Sequence, residues 1–104
     1  MKIVKLSATW CMPCKALART LEQIKADDKY KGVEFVEYDV ENDAEGQKIA
    51  QEIGLSSVPT MLFYDNSGNI VFRMVGNVPR KDIETAIQKK LLGGESKGEN
   101  EDGK

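Results

Sequence analysis

Two cysteines stand three positions apart in Trp10-Cys11-Met12-Pro13-Cys14-Lys15, and the chain contains no others. Cysteine is a nucleophile as its thiolate, which forms where positive charge or free N–H groups hold the anion. The first turn of a helix supplies both, as unpaired backbone N–H groups and the positive end of the helix dipole. A second cysteine one turn later can reach back and close a disulfide. The pair is therefore suited to redox chemistry at sulfur.

Composition removes several competing chemistries. The chain has no histidine, so Ser-His-Asp and Cys-His nucleophilic sites are excluded. Two cysteines alone cannot complete a tetrahedral zinc site; that would take a dimer sharing four cysteines, or added carboxylates. Neither a metal nor another cofactor is expected. The formal charge is −2 with both signs interspersed, which leaves no basic footprint for nucleic acid. No apolar stretch approaches the roughly 20 residues that span a bilayer. The N-terminus reads directly as a strand, without the basic start and long apolar run of a signal peptide, so a cytoplasmic protein is expected. At 104 residues and 40% hydrophobic, the chain fits one domain with one modest core.

The elements that must position the cysteines follow from periodicity. Residues 2 to 7 form an apolar run that enters the cysteine motif. Cys14, Leu17, Ala18, Leu21 and Lys25 then recur at helical spacing, with Ile24 beside them, which predicts a helix of about four turns reaching the Asp27-Asp28 region. Lys29 to Gly32 read as a polar turn. Val33, Phe35 and Val36 open a second strand ending near Val40, so the first two strands should be parallel with a right-handed crossover. Asn42 is the expected cap of a second helix, with Glu45 as its reciprocal partner. That helix should bury Ile49, Ala50 and Ile53 and end at Gly54. Thr60 to Tyr64 predict a third strand. Asp65-Asn66-Ser67-Gly68 signals a tight turn, and Ile70 to Val75 pairs back as the fourth strand, ended by Gly76. Pro79 suits the first turn of a last helix with inner face Ile83, Ala86, Ile87 and Leu91, stopped by Gly93-Gly94. Residues 93–104, without an apolar side chain from Glu95 on, are expected to be a disordered polar tail after a domain of residues 1–92.

The order β-α-β-α-β-β-α, with Trp10 to Lys15 after the first strand, Val58-Pro59-Thr60 before the third and Gly76 after the hairpin, resembles the thioredoxin family. The resemblance covers residues 1 to about 92. It implies an α/β fold with a four-stranded mixed sheet of order 2-1-3-4 and three helices on both faces. It implies a protein-disulfide reductase without cofactor, acting as a monomer on disulfide-containing proteins and recharged by a thioredoxin reductase. Cys11 resembles the family's attacking cysteine, exposed at the helix start, and Cys14 the more buried resolving cysteine. Pro59 resembles the cis-proline; a cis bond costs a non-proline residue about 3 kcal/mol and a proline about 0.5–1 kcal/mol. The backbone of Val58 would pair with an extended substrate segment, on a surface shaped by Trp10 and Gly76.

The chain also departs from the family pattern. It begins at the central strand, without the strand-helix unit that opens longer members. Met12-Pro13 stands where Gly-Pro is usual; Pro13 still fits the first turn, whereas Met12 adds apolar bulk beside the nucleophile and should change the redox potential. Lys5 and Glu37 occupy positions where the family commonly has a buried aspartate and its lysine partner, so the charges are swapped. Two readings stand: a partly buried pair behind Cys14, with Glu37 nearest to the aspartate's proton-accepting job and Lys5 instead favouring the thiolate, or two residues on a solvated strand face. A glutaredoxin-like, glutathione-dependent role is the nearest functional rival. Glutathione's carboxylates want charged or polar contacts after the cis-proline and after the fourth strand. The chain offers Met61-Leu62 and Gly76-Asn77-Val78 there and lacks the Gly-Gly-x-Asp type pattern near the last helix, which favours protein substrates. A non-enzymatic binding module is the rival from another class, and the Cys pair argues against it.

Overall fold

The computed structural model describes residues 1–92; the expected polar tail, with Gly93-Gly94, lies outside the described residues. Strand β1 (Lys2–Ser7) is followed by helix α1 (Met12–Lys25), strand β2 (Glu34–Asp39), helix α2 (Ala44–Ile53), strands β3 (Thr60–Tyr64) and β4 (Ile70–Val75), and helix α3 (Arg80–Ala86), which runs on as a π-helical turn, Ile87–Leu91. The sheet order is β2-β1-β3-β4. β1 and β2 are parallel, as a helical crossover requires; β3 is antiparallel to β1 and to β4. No described helix is long and apolar enough to cross a membrane.

Alternation along the inner strands divides the interior into two layers. Ile3 of β1 with Met61 and Phe63 of β3 packs against Leu17, Leu21 and Ile24 of α1 and Ile83, Ile87 and Leu91 beyond. Val4, Leu6 and Leu62 point the other way, under Ile49, Ile53 and Leu55 of the α2 region. Lys5 and Ser7 share the first face with Ile3, which puts a lysine in an otherwise apolar row.

Three local expectations are corrected. The polar turn after α1 contains a short 3-10 helix, Asp28–Tyr30, and Tyr30 is 1% exposed. Its ring joins the core, and its hydroxyl accepts from Gln88 Nε2 at 3.1 Å. The cap of α2 is Asp43 rather than Asn42. The Asp39 carboxylate, at the end of β2, gathers the Glu41 and Asn42 N–H groups and the Asn42 side chain into a tight turn. Asn42 is thereby withdrawn from capping and the helix starts one residue later. Pro79 likewise stands just outside α3, extended, in the cap position.

The buried residue of α2 is Gly46, while Ile49, Ala50 and Ile53 are partly buried. A Cβ at position 46 would lie 2.9 Å from Tyr38 Cβ and 3.0 Å from the Asp39 carbonyl oxygen. Glycine there lets α2 lie directly on β2. In an exposed helix interior Gly→Ala stabilises by up to about 1 kcal/mol. Gly46→Ala should reverse that sign and destabilise by about 1–3 kcal/mol through overpacking against backbone. A urea midpoint equal to or above wild type would show that α2 can back away.

Candidate active site

The four residues Ala8 to Cys11 carry the chain from β1 to α1, tightened by the Cys11 N–H donating to the Ala8 carbonyl at 3.1 Å. Cys11 is the N-cap of α1, and its sulfur accepts the Cys14 N–H at 3.1 Å. The helix's first turn has no acidic residue. The dipole and the free N–H groups therefore act on this sulfur unopposed. Pro13 takes a first-turn position, where its missing N–H costs no helical hydrogen bond.

Cys11 and Cys14 are joined as a disulfide. Cys14 is 1% exposed and Cys11 only 3%, so the expected exposure of Cys11 is not found in this oxidised state. In the disulfide the two cysteines cluster with Ala8, and Val58 packs on the pair. Its neighbours are open instead: Trp10 is 66% and Met12 68% exposed.

A second segment faces the sulfurs. The Val58-Pro59 bond is cis, and the Val58 carbonyl oxygen lies 3.9 Å from Cys11 Sγ. This loop is pinned on both sides. Thr60 Oγ1 donates to the Ser57 carbonyl at 2.8 Å, and the Gly76 N–H donates to the Pro59 carbonyl at 2.8 Å. Gly76 has φ +92°, a left-handed conformation for which glycine is the default residue. Its part in the site is thus structural as well as spatial. The Trp10 indole is held from a third segment, its Nε1–H donating to Glu41 Oε2 at 2.9 Å. Sequence reasoning missed Glu41; nothing local marks it, because its partner arrives from 31 residues away.

Behind the disulfide lie Lys5 and Glu37, cross-strand partners in the β1–β2 register. Lys5 is buried, at 2% exposed. Its Nζ donates to the Cys14 carbonyl at 2.8 Å and meets Glu37 Oε2 at 3.0 Å. Ser7 Oγ donates to the same carboxylate oxygen at 2.8 Å. Glu37 sits on the edge strand and its side chain remains 55% exposed. Partial burial pushes the Glu37 carboxyl up, but hydrogen bonds from Lys5 and Ser7 and the nearby ammonium outweigh it and hold it below the usual carboxylate range. Beside the pair, a cleft of about 540 Å³ opens between α1 and the end of β2, lined by Lys5, Cys14, Lys15 and Glu37 among others.

Comparison with known proteins agrees with this geometry. The family model described as Thioredoxin matches residues 1–89. A thioredoxin of Aspergillus fumigatus (Asp f 29) is 36% identical over 86 residues, 83% of this chain and 74% of that protein. Thioredoxin-1 of Schizosaccharomyces pombe is 36% identical over 89 residues, 86% of this chain and 80% of its own length. The crystal structure of a thioredoxin from Nicotiana alata superposes with a TM-score of 0.73 at 36% identity, covering 86% of this chain and 72% of that one.

The lowered Glu37 carboxyl carries a pH signature. A carboxyl held below its unfolded value stabilises the fold above the ordinary carboxylate range and loses that contribution as pH falls through the folded value. Wild type should therefore lose stability between pH 7 and pH 3 more steeply than Glu37→Gln. Urea midpoints measured across that range check this; parallel acid limbs would show that the pair contributes nothing to folding.

Proposed function

The chain belongs to the thioredoxin family, and from that premise we propose how its residues divide the work. It is a thiol–disulfide oxidoreductase that reduces protein disulfides through the Cys11/Cys14 pair. The observation that carries the assignment of roles is the sulfur of Cys11 at the N-cap of α1, receiving the Cys14 N–H.

In the reduced protein, Cys11 is the attacking thiolate. It attacks one sulfur of the substrate disulfide; that disulfide breaks, and the released sulfur leaves as a thiolate and takes a proton from water. The Cys11–substrate mixed disulfide remains. Cys14 then gives up its proton, and its thiolate attacks Cys11 Sγ. The Cys11–Cys14 bond forms, the Cys11–substrate bond breaks, and the second substrate sulfur leaves and is protonated. Two electrons have passed from the cysteine pair to the substrate, leaving the oxidised state seen in the structure.

The substrate lies in the notch between Trp10 and the Val58-Pro59 loop. An extended segment hydrogen-bonds to the Val58 backbone as an added strand would, and packs on Trp10 and Met12. Gly76 keeps the far wall low, having no side chain, and holds Pro59 by its N–H. Met12 adds apolar contact where the segment crosses the helix start, and Pro13 stiffens that turn. The protein works as a monomer in a reducing compartment such as the cytoplasm, and a thioredoxin reductase restores the dithiol.

The roles separate cleanly in the reaction with a chromogenic aromatic disulfide such as 5,5′-dithiobis(2-nitrobenzoate). Reduced wild type should release two equivalents of thionitrobenzoate in two phases. Cys14→Ser should release one and keep the other bound as a mixed disulfide. Cys11→Ser should lose the fast first phase and should not accelerate insulin reduction by dithiothreitol. A wild type that fails to accelerate insulin reduction overturns the enzymatic reading. A mixed disulfide retained by Cys11→Ser but not by Cys14→Ser reverses the two roles.

A further inference from the structure

Lys5 is the one charged residue buried among the described residues. Neither attack nor resolution, as derived above, uses it. Burying an ammonium is costly unless it is paired and hydrogen-bonded. Here both conditions are met, by the Cys14 carbonyl at 2.8 Å and the Glu37 carboxylate at 3.0 Å. The two partners differ in kind. Glu37 belongs to an edge strand and keeps more than half its side chain in water. The other end of the arrangement is the peptide of a buried cysteine.

We propose that Lys5 is a positioning residue for the resolving step: anchored on the Cys14 carbonyl, its ammonium favours the Cys14 thiolate that attacks the mixed disulfide. This rests on the reading of Cys14 as the resolving cysteine. The negative charge that appears on Cys14 is little hydrated, since Cys14 is 1% exposed. A cation fixed against the same residue supplies the stabilisation that water cannot, acting through a medium of low dielectric. Because the Glu37 charge is shared with solvent, it cancels the Lys5 field incompletely.

The same contacts disqualify Glu37 as the group that takes the Cys14 proton. Its Oε2 already accepts from Lys5 and Ser7. Those bonds hold it deprotonated at lower pH than an ordinary carboxylate, which makes it a weaker base. The proton leaves instead to water in the cleft that Cys14 and Glu37 both line. Five titratable groups border that cleft besides Cys14: Lys5 from β1, Lys15 from α1, Glu37 and Asp39 from β2, and Asp43 at the cap of α2. Asp39 and Asp43 have backbone N–H partners, Glu41 and Asn42 for the first and Asp39 for the second. Lys15 is exposed. Lys5 is the buried member of the set and the one bonded to Cys14.

The test reads Cys14 alone. In a Cys11→Ala background, thiolate absorbance near 240 nm is followed against pH. Lys5→Met should raise the Cys14 midpoint by about one unit or more, the size expected when a close opposite charge is removed. Glu37→Gln should lower it, because Lys5 is then unneutralised. With both cysteines present, Lys5→Met should slow the second release of thionitrobenzoate about threefold at pH below the midpoint, the tenfold smaller thiolate fraction being offset in part by its greater nucleophilicity, leaving the first unchanged. Opposite shifts from the two variants are something a purely structural role does not produce. A Cys14 midpoint unmoved by Lys5→Met, or both phases slowed alike, overturns the proposal. So does Glu37→Gln slowing the second phase, which would make Glu37 the proton acceptor. Should Lys5→Met not fold, Glu37→Gln decides alone, since that side chain is largely in water: a midpoint that falls supports the proposal and one that rises or stays overturns it. Failure of the cysteine roles themselves is recognised separately, by Cys14→Ser not retaining the mixed disulfide.

Discussion

Strand direction decides where everything in this molecule meets. β1 and β2 run parallel, so both end at the same rim of the sheet; β3, antiparallel to them, begins there, and β4, antiparallel again, ends there. The β1 exit carries the cysteines, the β2 exit carries Glu41, the β3 entrance carries Val58-Pro59, and the β4 exit carries Gly76. Four segments distant in sequence thus converge without any of them travelling far. Hydrogen bonds tie them in pairs, Gly76 to Pro59 and Trp10 to Glu41. A mobile loop could not hold a sulfur against a carbonyl oxygen at a fixed separation; a rim built from strand ends can.

The layer beneath that rim is not uniformly apolar. Alternation along β1 requires residues 3, 5 and 7 to face α1, and the apolar helix would ordinarily demand hydrophobic residues at all three. Lys5 and Ser7 break that demand, and they do so next to the cysteines. Both are satisfied through the same Glu37 oxygen, so the polar intrusion forms one connected group rather than scattered vacancies. Packing order is given up at two positions of the central strand, and an ammonium is held there against the Cys14 carbonyl.

Much of this was legible in the residues themselves. Helical spacing from Cys14 to Lys25, the Asn-Ser-Gly turn after Asp65 and the apolar runs of the four strands each state a local preference that the fold keeps. What could not be read was decided between distant segments. Tyr30 lies in a polar string, and only the approach of α3 gives its ring a place to go. Asn42 is a good cap by type, yet Asp39 competes for it. Gly46 looks like a weak spot in a helix until β2 is set beneath it. Glu41 carries no sign of Trp10. Cys11 is covered by Val58, which arrives from 47 residues away. In each case local chemistry allowed several outcomes and a contact across the fold selected one.

The sheet order leaves β2 and β4 as its two margins. A margin is a row of peptide groups able to recruit a strand from another molecule, and isolated copies at high concentration are exposed to that hazard. β2 carries Glu34, Glu37 and Asp39 in six residues, so a second β2 laid alongside would bring acid against acid. β4 is more apolar, with Val71 and Val75 exposed, but Arg73 stands between them. That arginine donates to the Ile53 carbonyl at 3.2 Å and so reaches back over the sheet. The glutamate that balances a buried lysine behind the cysteines therefore has a colloidal consequence too, because the same charge discourages copies of the protein from adding to one another's sheets.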